Sequence, residues 1–352
     1  MKKDHILVIR FSALGDTAMV VPIVYSLAEA YPDLRITVLS RPFARSLFEN
    51  LHPNIFFMEA DLKKEYKGIK GLNALYRRLS AKKFTAVADL HDVLRSEYLR
   101  LRFQFDYISK VRHIDKHRED KRHLMRSKNK ILQQLPTSFD NYTEVFHKLG
   151  YNFKPHFTSL FPPGGGPLER LPQSISQRSQ AGPWIGIAPF AAHQGKVYPI
   201  ERMEEVIGMI ARKYEHSSIF LFGRGEKEDE TFARWCQRFA QCVHVAPQLQ
   251  SLDEELILMS HLQVLVSMDS ANMHLASLTA TPVVSVWGAT HPYAGFLGWN
   301  QKSGNIVQLD LPCRPCSIYG NKPCLTGDFA CMKQIPAEVI FSKIEDNLKK
   351  SE

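Results

Sequence analysis

The 352-residue sequence predicts an α/β protein made of two doubly wound parallel sheets, one in each half of the chain. Three observations carry this. Short apolar runs alternate with stretches of helical spacing; a glycine- and proline-rich connection at 161–183 (FPPGGGP, then SISQRSQAGP) interrupts the alternation; and the same rhythm restarts behind it. A composition of 44% hydrophobic and 23% charged residues excludes a disordered or fibrous chain. No apolar run approaches the roughly 20 residues that span a bilayer, and the start MKKDHILVIRF enters a strand without a cleavage site, so a cytoplasmic protein is expected. The net charge of +9 asks for an anionic partner: nucleic acid, anionic lipid or a phosphorylated substrate.

In the first half, ILVIR (6–10) is a strand of the kind buried on both faces. It is followed by the turn FSALG, then Asp16-Thr17 and the helical pattern AMVVPIVYSLAEAY. Pro22 within that pattern kinks the helix or marks a first turn that begins later than Asp16. FSALGD lacks the G-x-G-x-x-G dinucleotide spacing, but it puts a carboxylate at the mouth of a strand. Asp16 is therefore a helix cap or a base. Strands at 35–39, 55–58 and 84–90, with a helix at 72–80, continue the alternation.

After Asp89, the segment LHDVLRSEYLRLRF carries Arg95, Arg100 and Arg102. The stretch 112–130 then sets eight basic residues, Arg118 and Arg122 among them, against three acids. Such a run is a solvated face or a patch that holds a phosphorylated or membrane-embedded acceptor. Nucleic acid is not expected, because no binding motif or regular aromatic interleaving accompanies the charge.

In the second half, WIGIA (184–188), a helix at 200–214 with Met203, Val206, Ile207 and Ile210 on one face, and SIFLF (218–222) repeat the pattern. The loop PFAAHQGKVYP offers Lys196 as a point charge for a diphosphate. The turn GRGEKE offers Glu226 and Glu228, as helix caps or as acceptors from ribose hydroxyls. A helix at 252–261 leads to the strand 263–268. Asp269 and Ser270 can cap the helix that begins at Ala271, which Thr281-Pro282 stops before the strand 283–287. A helix start at a strand's carboxyl end favours an anion, and His274 lies one turn beyond Ser270. Cys313, Cys316, Cys324 and Cys331 form a tight group, structural in character, that leaves zinc open.

Taken in order, ILVIRFSALGD, GKVYP, GRGEKE and MDSANMHLASLTATPVVSVWGAT, with the elements CRPC, CLTG and CMKQI, resemble the family of ADP-heptose:lipopolysaccharide heptosyltransferases over residues 6–335. The resemblance implies the GT-B fold. It divides the chain into an acceptor-binding Rossmann-like domain (1–160), a linker (161–183), a nucleotide-sugar domain (184–335) and a final helix returning to the first domain (336–352). It implies inverting transfer from ADP-heptose to a phosphorylated glycolipid acceptor at the cytoplasmic face of the inner membrane, with no obligatory cofactor. By the same match Asp16 is the base and Lys196 meets the diphosphate, Asp269, Ser270, Ala271 and His274 belong to the donor pocket, and Glu226 or Glu228 meets the ribose. Arg95, Arg118 and Arg122 are the acceptor candidates. Ala271 stands where the family usually has glycine, and Tyr198 where it commonly has tryptophan. Two alternatives stay open: transfer of another nucleotide-sugar, and nucleotide-sugar binding without transfer.

Overall fold

Every position of strand β1 (His5–Ile9) is buried, as a strand covered by helices on both sheet faces requires. The computed structural model describes residues 4–106, 110–178 and 181–350. In chain order β1 is followed by α1 (Leu14–Ala18), α2 (Val21–Ala30), β2 (Arg35–Ser40), α3 (Arg45–Phe48), β3 (Ile55–Glu59), α4 (Gly68–Ser80), β4 (Ala86–Asp89), α5 (Leu94–Phe105), β5 (Lys110–His113), α6 (Arg118–Leu124), α7 (Ser138–Leu149) and α8 (Gln173–Ser176). The second half holds β6 (Trp184–Ala188), α9 (Ile200–Lys213), β7 (Ser218–Leu221), α10 (Glu226–Arg238), β8 (Cys242–His244), α11 (Leu252–Ser260), β9 (Val264–Met268), α12 (Ala271–Leu278), β10 (Val283–Val286), β11 (Ile306–Val307), α13 (Ala330–Lys333) and α14 (Ala337–Leu348). Pro22 lies in the first turn of α2, so the chain breaks between two helices instead of kinking one.

Two compact units result, Met1–Lys116 with Pro136–Thr158, and His117–Leu135 with Ser159–Glu352. The first holds a parallel sheet of order β3-β2-β1-β4-β5, the second a parallel sheet of order β11-β10-β9-β6-β7-β8. In each, successive crossovers run outward from a first strand and then resume on its other side. The switch points lie between β1 and β4 and between β6 and β9, where the loops leaving the carboxyl ends of neighbouring strands diverge and leave a crevice.

The partition differs from the expected one in three places. Residues 117–135, expected in the first domain, belong to the second unit. Leu124 and Leu135 pack there with Ala294 and Ile318, and Lys130 Nζ donates to the carbonyls of Pro312 (3.0 Å) and Arg314 (2.7 Å). The final helix packs on the second unit as well: Ala337, Ile340, Ile344 and Leu348, an apolar stripe of helical spacing, close over Met203, Val206, Ile207 and Ile210 of α9. The stretch 161–183 is pinned to the second unit, with Leu171 and Ile175 buried, Gly166 N–H donating to Ser260 Oγ (2.9 Å) and His261 Nε2 meeting Gly166 O (2.7 Å). Ser179, Gln180, Ser351 and Glu352, parts of the expected linker and final helix, lie outside the described residues.

Candidate active site

In the first unit the loop after β1 is held by the buried Arg10, a residue 7% exposed. Arg10 Nη1 donates to Leu90 O at 2.7 Å, and Nη2 lies 2.7 Å from Asp16 Oδ2. Asp16 is the third residue of α1, and its Oδ2 also accepts from Ala13 N–H at 3.2 Å, so the capping geometry is present. The two uses are compatible. The carboxylate is a third exposed and faces the β1/β4 switch point while the pair with Arg10 fixes its orientation. Tyr142 donates to Asp16 O (3.3 Å) and its ring lies 5.9 Å from the Arg10 guanidinium.

His91, just past β4, receives a long hydrogen bond from Phe11 N–H on Nδ1 (3.4 Å) and places Nε2 3.4 Å from Ser12 Oγ. Burial, then the Arg10 and Lys116 cations, drive its pKa down to about 3, with Asp16 pulling weakly the other way and Arg95 adding to the depression. His91 is thus a neutral ring at working pH. The unfolded chain, with an ordinary histidine near 6.5, takes up the proton first, so this contribution to stability is complete above pH 6.5 and declines as pH falls from there toward 3. His91→Gln should lose less of its urea midpoint than wild type between about pH 7 and about pH 5; an equal loss in both would contradict the assignment.

In the second unit Lys196 Nζ lies 2.8 Å from Asp269 Oδ2, with the two side chains 16% and 5% exposed. These residues come from the loops after β6 and β9, the strands that flank the switch point. Ser270 occupies the N-cap of α12, but its hydroxyl bonds Ser267 Oγ (3.2 Å) and gives the helix no side-chain cap. The backbone N–H groups of its first turn, starting at Ala271, thus receive no side-chain cap from Ser270. His274 is buried one turn further on.

The Lys196 loop is set by close backbone contacts. Ala289 N–H donates to Gly195 O at 2.8 Å, a Cβ on Gly288 would fall 2.6 Å from that same oxygen, and one on Gly320 would fall 2.6 Å from Lys196 Cγ. Behind them the buried Arg314 donates to Gly288 O (2.5 Å), Thr290 O (3.0 Å) and Trp287 O (3.2 Å), collecting carbonyls of the loop that follows β10.

Glu228 is partly buried and accepts from Arg224 N–H at 2.7 Å across the face of Gly223; burial raises its pKa. It reaches back to the N–H of the residue before the N-cap, whereas Glu226 is exposed at the first position of α10. A cavity of about 570 Å³ opens beside them, lined by Phe190, Gln194, Tyr198, Glu228 and Met332 among others. Tyr198 is fully buried and donates to Ile335 O at 2.9 Å.

Arg95 is exposed on α5 of the first unit, and Arg118 and Arg122 are exposed on α6 of the second, so the three acceptor candidates do not share one unit. Arg100 turns inward, pairing with the buried Asp89 (3.2 Å) and with Asp92 (3.3 Å). Cys313, Cys316, Cys324 and Cys331 are free thiols, and among the described residues no group of three or more His, Cys, Asp or Glu stands in metal-holding geometry. Cys324 Sγ accepts from Phe329 N–H at 3.4 Å and Cys316 Sγ points at Ala289 O, while Cys331 feels the charges of Cys316, Cys313 and Cys324. Arg10, His91 and Arg314 were not singled out in the sequence. Their partners lie on loops and strands that only the tertiary fold brings together.

Comparison with known proteins places the chain. Residues 72–323 match the family model of glycosyltransferase family 9 (heptosyltransferase). Lipopolysaccharide heptosyltransferase 3 of Escherichia coli is 24% identical over 84% of this chain and 85% of its own length; lipopolysaccharide heptosyltransferase 1 of an E. coli O18:K1:H7 strain is 23% identical over 99% of each. Among solved structures, the family 9 glycosyl transferase from Veillonella parvula superposes with a TM-score of 0.76 at 19% identity, covering 99% of this chain and 98% of its own. The E. coli heptosyltransferase WaaC with ADP superposes with a TM-score of 0.67 at 19% identity, covering 97% and 99%. The switch-point crevices and the two parallel sheets are thus those of a GT-B enzyme, and the chain is a glycosyltransferase that belongs to family 9, the heptosyltransferase family.

Proposed function

We propose that this enzyme transfers heptose from ADP-heptose to a hydroxyl of a lipopolysaccharide inner-core acceptor, with inversion at the anomeric carbon. The observation that carries the reading is the Lys196–Asp269 pair beside the uncapped start of α12. A cation and a row of backbone donors converge where the departing diphosphate of a nucleotide-sugar would gather charge. The relatives named above are lipopolysaccharide heptosyltransferases, and a structural neighbour holds ADP, which supports this donor class.

In the reaction, the acceptor oxygen forms a bond to the anomeric carbon as the bond from that carbon to the β-phosphate oxygen breaks. The hydroxyl proton passes to Asp16, the general base of the first unit, and ADP leaves with the electron pair. Lys196 and the α12 amides stabilise the leaving charge, with His274 beside them; no metal or other cofactor is obligatory in this reading. Asp269 keeps the Lys196 ammonium in place when the site is empty and releases part of it to phosphate when donor binds. Glu226 is assigned to the ribose hydroxyls, because Glu228 already satisfies Arg224 N–H. Glu226→Gln should weaken ADP by about tenfold with little change in melting temperature, whereas Glu228→Gln should mainly lower the melting temperature; the reverse pattern exchanges the two roles.

Among the described residues no helix is long and apolar enough to cross a membrane. We place the enzyme in the cytoplasm, working at the inner face of the membrane that holds its glycolipid acceptor. A second reading, transfer of a different nucleotide-sugar, is favoured by Ala271, whose methyl group lies at the first position of α12 where the donor's phosphates approach. Mass analysis of the glycolipid after incubation with ADP-heptose tests the proposal: a gain of one heptose residue is expected, and an unmodified acceptor alongside a product from another sugar donor would overturn it.

A further inference from the structure

The strongest concentration of positive charge is one that carries no catalytic role. Residues 63–83 (KKEYKGIKGLNALYRRLSAKK) hold eight basic side chains and one acid, an excess of seven. All eight cationic residues are exposed in the structure: Lys63, Lys64 and Lys67 before α4, Lys70, Arg77 and Arg78 on it, Lys82 and Lys83 after it. Arg78 is tied to Tyr66 Oη and Glu59 O, which leaves Lys70 and Arg77 one turn either side of Asn73 on the outward face.

Asn73 also marks the seam with the next helix, since Tyr98 Oη donates to Asn73 Oδ1 at 2.7 Å and Arg102 reaches the same oxygen. Along α5 beside this seam, Leu94, Leu101 and Phe105 are 85%, 45% and 77% exposed, and Ile69 in the first turn of α4 is 69% exposed. Leu94, Leu101 and Phe105 are spaced seven and four apart, so they form one stripe along a helix of 12 residues. Other large apolar side chains, such as Phe56 and Leu325, are also exposed, but Leu94, Leu101 and Phe105 are gathered in one stripe along one helix.

Apolar side chains bordered by many cations match an anionic lipid surface. The side chains enter the acyl boundary while the cations meet lipid phosphates, and together they supply the two signals that stable peripheral attachment needs. A self-association surface would match less well, because facing copies would bring the cations of α4 against each other. The stripe begins at Leu94, three residues after His91 beside Asp16, so a bilayer seated on α4 and α5 lies along the edge of the acceptor half of the site.

We infer that the α4–α5 face of the first unit is the membrane-docking surface of this enzyme, seating it on an anionic bilayer so that a lipid-anchored acceptor meets Asp16 from the membrane plane. The inference rests on the proposed glycolipid acceptor for its purpose but not for its binding readout. The test uses the full chain and vesicles of phosphatidylethanolamine with about a quarter phosphatidylglycerol, against vesicles of phosphatidylcholine alone. Binding to the anionic vesicles, weakened by salt, is expected to fall about tenfold or more both in Leu94→Ser/Leu101→Ser/Phe105→Ser and in Lys70→Glu/Arg77→Glu. All five positions are exposed, so the melting temperature should hold. Vesicle binding that is absent in the wild type or untouched by either variant overturns the inference. So does a wild-type dimer that the triple variant converts to monomer, or salt-sensitive DNA binding lost in Lys70→Glu/Arg77→Glu without vesicle binding. With a delipidated, water-soluble acceptor the variants should transfer within about twofold of wild type, and with the same acceptor in vesicles about tenfold less. If no heptose is transferred to either acceptor by the wild type while vesicle binding behaves as stated, the proposed reaction fails and the docking surface stands.

Discussion

Asp16→Asn should bind ADP as wild type does and lose about 10²- to 10⁴-fold in turnover, the range that removing a general base costs. The substitution preserves shape and one acceptor oxygen, so Ala13 N–H and Arg10 Nη2 both keep a partner and the loop after β1 stays in place. What it removes is the ability to accept a proton from the attacking hydroxyl. The separation from the capping role is then clean: a cap alone predicts a small shift in melting temperature and normal turnover. Acceptor-dependent ADP release, measured together with thermal unfolding, distinguishes the two. Undiminished turnover would return Asp16 to a purely structural place and remove the base from the proposed chemistry.

Lys196→Ala acts twice. It deletes the cation offered to the diphosphate, and it leaves the Asp269 carboxylate, 5% exposed, without its 2.8 Å partner at a point where phosphate must approach. Truncating one member of such a pair costs about 2–5 kcal/mol, so ADP affinity should fall by roughly 30-fold or more, and the fold itself should weaken. Adding Asp269→Asn should restore part of the stability and part of the affinity, because the stranded negative charge is gone. Titration calorimetry with ADP on the two variants measures both effects. Unchanged ADP affinity in Lys196→Ala would place the diphosphate elsewhere.

Much of this architecture is legible in the sequence because parallel strands buried on both faces are written as apolar runs. ILVIR, WIGIA and SIFLF needed no tertiary information, and the switch-point rule then directs attention to the loops that carry Asp16, Lys196 and Asp269. The short strands β5, β8 and β11 are harder to read: KVRH is mostly exposed, and β11 is two residues long. The assignment of 117–135 and of the final helix to the second unit could not be read from periodicity, since an apolar stripe states that a helix is covered but not by which neighbour. The site residues show the same limit. Spacing alone leaves Glu226 and Glu228 equivalent; they part only when Glu228 folds back over Gly223, where a Cβ would lie 2.2 Å from its carboxylate oxygen. His91 and Phe11, next to Arg10, stand eighty positions apart, and only the pairing of β1 with β4 brings their loops together.

The cysteine group teaches a related lesson. C-x2-C followed by two further cysteines has the chemistry of a thiolate site, and in the fold Cys331 feels the charges of Cys313, Cys316 and Cys324, while Arg314, between the first pair, spends its donors on the carbonyls of 287–290. Through Arg314 the same stretch also forms a clamp behind the Lys196 loop.

The central claim, that the second unit is built for ADP-heptose, is tested most directly by thermal unfolding of the wild-type enzyme with ADP-heptose, ADP, ADP-glucose and UDP-glucose at equal concentration. The account predicts the largest stabilisation with ADP-heptose, a smaller one with ADP and ADP-glucose, and almost none with UDP-glucose. A response to UDP-glucose as large as that to ADP-heptose would contradict it.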